Sequence, residues 1–154
     1  MTEIIILSRR SVYPSRVKKV LIPTDFSPAA QRALHFGVSI FETSGVGAKL
    51  ILVHTFPFPV SASNSWVEVH DAWKRNSAKS FAEQLEEVRR VYAPKNVSFE
   101  TLSFIGSLDN VLVHLVRERG IDCVIWGTDP DSGKEEEITR VLSRVPCPVL
   151  VVPP

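Results

Sequence analysis

Apolar positions along this chain switch repeatedly between short continuous runs and helical spacing. Val17-Lys18-Lys19-Val20-Leu21-Ile22-Pro23 is β-branched and apolar, and it reads as a buried strand. Thr24-Asp25-Phe26-Ser27-Pro28 follows, with Ser27 suited to cap a helix and Pro28 to its first position. Ala30, Ala33, Leu34, Gly37, Val38 and Phe41 then recur at helical spacing, and Gly45 and Gly47 end that helix. A second apolar run, Leu50-Ile51-Leu52-Val53 within 48–55, predicts a second buried strand. A Pro- and Ser-rich loop covers 56–66. A long amphipathic helix is predicted over 67–92, with Val69, Trp73, Phe81, Leu85, Val88 and Tyr92 inward and Pro94 as its stop.

The pattern then repeats. Residues 97–104 alternate in part, with Val97, Phe99 and Thr101 on one face of a third strand. Gly106-Ser107 opens a helix with Val111, Leu112, Leu115 and Val116 inward, and Gly120 ends it. Residues 122–126 read as a fourth strand. A short helix fits 135–144, with Ile138, Val141 and Leu142 inward, and Pro146-Cys147-Pro148 breaks it. Val149-Leu150-Val151-Val152 is the fifth strand. Strands that alternate with helices imply parallel pairing and right-handed crossovers. The expected fold is therefore α/β: a Rossmann-like open five-stranded parallel sheet with helices on both faces. In such sheets ligands bind beyond the carboxyl ends of the strands, where strand order reverses. Residues 1–16 read as an N-terminal extension and 17–154 as one domain. Ile4-Ile5-Ile6-Leu7 is a short strand candidate that either joins this sheet or reaches another subunit.

Composition narrows the function classes. A length of 154 residues fits one domain, and a net charge of +1 gives none of the basic excess of a nucleic-acid binder. No apolar run approaches the ~20 residues of a membrane span, and no leader pattern is present, so the cytoplasm is the expected location. Cys123 and Cys147 form no metal or redox motif and read as buried free thiols. His35, His54, His70 and His114 form no pair with metal-ligand spacing beside a carboxylate, and they read as core or surface histidines. There is no Gly-x-Ser-x-Gly elbow and no evident nucleophile–base pair; Ser143 reads as a surface or cap residue. Trp73 is expected to pack the long helix on the sheet, with Trp66 left between packing and a lid or partner surface.

Four stretches together resemble the universal stress protein family. They are Val20-Leu21-Ile22-Pro23-Thr24-Asp25-Phe26-Ser27 with Ala30, Ala33 and Leu34; Leu52-Val53-His54; Gly106 with the later Asp122-Cys123-Val124-Ile125-Trp126-Gly127-Thr128; and Val141-Leu142-Ser143-Arg144-Val145-Pro146-Cys147-Pro148-Val149-Leu150-Val151-Val152. The match runs from Val17 to the end of the chain. It implies a Rossmann-like fold and a homodimer paired through the last strand, Val149 to Val152. An apolar strand on a sheet edge is a liability unless covered, which agrees with that pairing.

The resemblance further implies a nucleotide crevice. Members that bind ATP carry Gly-x-x-Gly, a spacer of nine residues, and then Gly-Ser or Gly-Thr, so that backbone amides and a hydroxyl wrap the phosphates. Gly127 matches the first glycine. The second position is Pro130, and counting back from Pro146 puts the Gly-Ser pair on Glu135-Glu136. Proline removes an amide donor, and two carboxylates stand where phosphates would lie. The candidate crevice comprises Pro23, Thr24, Asp25, Thr55, Gly127, Thr128, Ser132, Gly133 and Lys134. In ATP-binding members the residue matching Asp25 contacts the nucleoside, and the backbone at the position of Thr55 faces adenine. Asp25 also reads as a cap beside Ser27. The spacing from Gly127 to Gly133-Lys134 misses a Walker A loop by one residue and lacks its hydroxyl; Ser132, Gly133 and Lys134 could instead form an improvised anion site, although Glu135 to Glu137 already occupy the helix's first turn.

Three functions are therefore weighed. The first is a stress-response regulatory or interaction module, a homodimer with no efficient ATP binding and no cofactor. The second binds ATP or AMP through an atypical loop, with at most slow hydrolysis; AMP or adenosine fits better than ATP. The third is a small α/β enzyme using the same crevice, for which no catalytic set is evident.

Overall fold

The computed structural model describes residues 5–7, 17–58 and 66–154. Its strands are β1 (Ile5–Leu7), β2 (Lys19–Pro23), β3 (Ala48–Phe56), β4 (Val97–Ile105), β5 (Cys123–Gly127) and β6 (Val149–Val152). Its helices are α1 (Pro28–Thr43), α2 (Trp66–Tyr92), α3 (Leu108–Arg119) and α4 (Glu135–Arg144), with a 3-10 turn at Pro130–Ser132. The strands form one sheet in the order β1-β6-β5-β2-β3-β4. The pairs from β6 through β4 are parallel, as the alternation of strands and helices predicts.

One strand extends that five-stranded parallel sheet. Ile5–Leu7 pair antiparallel with β6, placing Ile5 opposite Val151, Ile6 opposite Leu150 and Leu7 opposite Val149. Of the two destinations open to the N-terminal apolar run, the chain's own sheet is the one observed; Ile4 and 8–16 lie outside the described residues.

Alternation along the strands divides the core between two faces. Val20, Ile22, Leu50, Leu52, Ile125 and Leu150 meet Ala33, Leu34, Val38 and Phe41 of α1 and Phe81, Leu85 and Val88 of α2. Leu21, Ile51, Val53, Val124, Trp126 and Val149 meet Leu112, Leu115 and Val116 of α3 and Val141 of α4. Burying each aliphatic side chain contributes about 1.5–3 kcal/mol. Charges secure the helices at their ends. The Glu42 carboxylate accepts the Lys95 and Asn96 amides, and Asp109 of α3 pairs with Arg140 and Arg144 of α4.

Three details depart from the periodicity. Val69 is exposed, because buried positions on α2 begin only at Ser77. Thr101 is exposed on the edge strand β4. On α3, Val113 is buried and Val111 only half-buried. Trp73 stacks on Phe56 at 5.2 Å, between α2 and β3; the Trp66 side chain and residues 59–65 lie outside the described residues. No helix among the described residues is long and apolar enough to cross a membrane. Both cysteines are free thiols, Cys123 buried and Cys147 half-buried, and burial pushes each up to about 12.

Candidate functional site

The sheet changes direction between β2 and β5: the chain proceeds from β2 outward through β3 and β4, then returns to β5 on the other side of β2. A crevice of about 250 Å³ opens at the carboxyl ends of these strands. One wall is the turn from β2 into α1 together with the end of β3. The other is the segment from Gly127 into α4.

The first wall is wired by buried and half-buried hydrogen bonds. The Thr24 amide donates to the Val53 carbonyl at 2.8 Å, which holds the turn to β3. The Thr24 hydroxyl donates to Gln84 Oε1 at 3.2 Å and accepts the Phe26 amide at 3.0 Å. His54 Nδ1–H donates to the Thr24 carbonyl at 2.9 Å. Phe26 takes a left-handed backbone (φ 63°), unusual for a bulky residue, and its ring is held between His54 and Phe81. Ser27 caps α1 by accepting the Ala30 amide, and Pro28 stands at the first helical position. Asp25 Oδ1 accepts the Ser27 amide at 3.0 Å, so Asp25 braces the capping residue while its other oxygen faces the crevice wall opposite.

The second wall is built from local turns. Asp129 accepts the Asp131 amide through its side chain and the Ser132 amide and hydroxyl through its carbonyl, closing the 3-10 turn. Gly133 follows at φ 67°, a left-handed conformation that glycine adopts without penalty. Lys134 precedes α4, and its ammonium binds Asp25 Oδ2 across the crevice. Burial raises the Asp25 carboxyl, but hydrogen bonds from Lys134 and Ser27 and the lysine charge outweigh it, holding the carboxyl down at about 2.

Gly127 sits where the two walls meet. A Cβ there would lie 1.8 Å from the Ala29 carbonyl oxygen and 2.5 Å from its carbon. The close approach of α1 to the end of β5 therefore requires this glycine whether or not a nucleotide binds.

Of the residues expected at the crevice, Pro23, Thr24, Asp25, Thr55, Gly127, Ser132 and Lys134 line it. Thr128 is turned to structural work: its amide donates to the Val152 carbonyl, and its own carbonyl accepts Arg32 Nη2 at 3.1 Å. Gly133 shapes the turn without lining the cavity. Sequence reasoning missed Leu108, Trp126 and Glu137 as lining residues, whereas His54 and Asp129 line the cavity near strand ends, where a ligand was expected. His54 lies within β3, two residues before its end, and Asp129 lies two residues beyond the end of β5. Leu108 and Glu137 enter through helix packing, which the sequence did not signal.

The comparisons with known proteins fit this geometry. A model of the universal stress protein family matches residues 16–153. The chain belongs to that family. Universal stress protein Sll1654 of Synechocystis sp. is 26% identical over 141 residues, covering 88% of this chain and 85% of that protein. The solved structure of universal stress protein UspA from Lactobacillus plantarum shares the fold with a TM-score of 0.69 at 19% identity, covering 89% of this chain and 98% of that one. A universal stress protein family member from Arabidopsis thaliana, solved with AMP bound, has a TM-score of 0.61 at 15% identity and covers 88% of this chain and 91% of its own.

Proposed function

We propose that this universal stress protein is a cytoplasmic regulatory or interaction module that binds ATP poorly. One observation carries the reading: Asp25, Asp129 and Glu137 line the crevice, and the ammonium facing them, Lys134, is already committed to Asp25. A triphosphate would meet carboxylates at a cost of about 1–4 kcal/mol for each like-charged pair near 4 Å. Pro130 adds no amide donor to the loop, and Glu135 to Glu137 fill the first turn of α4, where a helix terminus would otherwise favour an anion. The cavity volume also falls below the roughly 300–1,000 Å³ usual for small-molecule sites. Assembly of two copies through Val149–Val152 belongs to the same reading, supported by the uncharged aliphatic makeup of that strand.

A second reading has its own support. Its support is that Pro23 to Asp25 and Thr55 line the crevice, that the Thr24 amide is bonded to Val53, and that a structural neighbour is seen with AMP. On this reading the crevice takes AMP or adenosine, with Lys134 released from Asp25 to meet a single phosphate. Calorimetric titration of the purified protein with ATP and Mg²⁺, AMP and adenosine separates the two. Micromolar affinity for ATP sinks the first reading, and absence of heat with any of the three at millimolar concentration sinks the second.

A further inference from the structure

We infer that β1 is an edge cap that competes with a second copy of this chain for the outer edge of β6. The inference rests on the reading of β6 as the pairing strand. The two edges of the sheet are protected differently. On β4, the side chain of Glu100 is paired with Lys49 of β3 and Arg119 of α3, which puts charge on the strand. On β6, Val149–Val152 carry no charge, and the outer edge from Val149 to Val151 is covered by three residues of the same chain. An uncapped aliphatic edge of this kind is a template for another strand.

The cap has the character of a copied partner. It runs antiparallel to β6, as a second β6 would across a two-fold axis. It sets Ile5, Ile6 and Leu7 against Val151, Leu150 and Val149, where a second copy centred on Leu150 would set Val149, Leu150 and Val151. Direction, length and aliphatic class coincide, so the two cannot occupy the edge together. Dimerisation through β6 then requires release of β1 from both chains. If the cap covers the edge in ~90% of chains, each partner is competent about a tenth of the time, and the dimer constant weakens about a hundredfold.

The test compares the full chain with a variant lacking residues 1–8, by light scattering across a concentration series. The deletion is expected to dimerise at least ~10-fold more tightly. A synthetic peptide of residues 2–10 is expected to dissociate that dimer by reoccupying the edge. If the deletion variant does not fold by circular dichroism, the double substitution Ile5→Pro, Ile6→Pro takes its place. Adjacent amides of a strand point to opposite sides, so one of the two faces β6 and is removed. Equal dimer constants with and without β1 overturn the cap while leaving β6 pairing intact. A deletion variant that stays monomeric, or a dimer that the peptide does not touch, overturns both. A full-chain dimer that falls apart on deletion also overturns the cap, by making β1 part of the contact.

Discussion

The two walls of the crevice are held by hydrogen bonds of different reach along the chain. The wall from Pro23 to Ser27 is anchored by hydrogen bonds to residues distant in the chain: Val53, His54 and Gln84. It is rigid enough to keep Phe26 in a left-handed conformation. The wall from Asp129 to Lys134 is closed by bonds within a few residues and is largely exposed. A wall of the first kind fixes side-chain positions for a ligand. A wall of the second kind can accept Pro130 and a series of carboxylates without disturbing the core, because little of the fold depends on it. Substitutions in the Asp129–Lys134 wall are therefore structurally cheap, whereas substitutions in the Pro23–Ser27 wall are not.

Replacing residues at the junction should have the largest effect. Gly127→Ala drives a methyl group into the Ala29 backbone, which cannot retreat without moving α1. The expected loss is about 3 kcal/mol, at the upper end for overpacking. The same change at Gly133 meets open space and incurs only the left-handed penalty, about 1 kcal/mol. Urea denaturation of both variants checks the contrast. Equal losses would mean that the junction is no more constrained than the turn.

Within the anchored wall, Thr24→Val keeps the shape of a residue that is only 6% exposed and removes its hydroxyl. Gln84 Oε1 and the Phe26 amide then lose a partner. The expected cost is about 2 kcal/mol, from polar groups left unpaired in a buried setting. A loss below a few tenths would show that the wiring of this wall is incidental, and that the difference between the walls lies elsewhere.

The sequence made the frame of this site legible and its closure illegible. Runs such as Leu50-Ile51-Leu52-Val53 and the Ser27-Pro28 cap are local signals, and parallel pairing followed from them, so a crevice was expected beyond the carboxyl ends of the strands; the strand order that singles out β2 and β5 rests on contacts distant in the chain. The meeting of Gly127 with Ala29 depends on how closely α1 approaches β5, which no periodicity encodes. Phe26 offered no glycine or asparagine to announce a positive φ, and the rings it packs between, His54 and Phe81, come from distant parts of the chain. Lys134 was visible as the tail of a failed phosphate motif, but its partner Asp25 lies 109 residues earlier.

That ion pair is the smallest lever on the comparison, and it joins the two walls directly. Asp25 is held at about 2, below its ordinary 3.8, so its pairing stabilises the folded chain fully above about pH 4 and loses that contribution as pH falls toward 2. Both side chains are more than two-fifths exposed, and solvent screening keeps the contribution under ~1 kcal/mol. Lys134→Met should therefore cost little at neutral pH, and the difference from the parent chain should shrink as acid protonates Asp25. In the variant, the Asp25 carboxyl followed by NMR should titrate closer to 3.8, because the largest group of effects lowering it includes the lysine. If the carboxyl still titrates near 2 without Lys134, the turn around Ser27 alone sets its charge, and the second wall has no hold on the first.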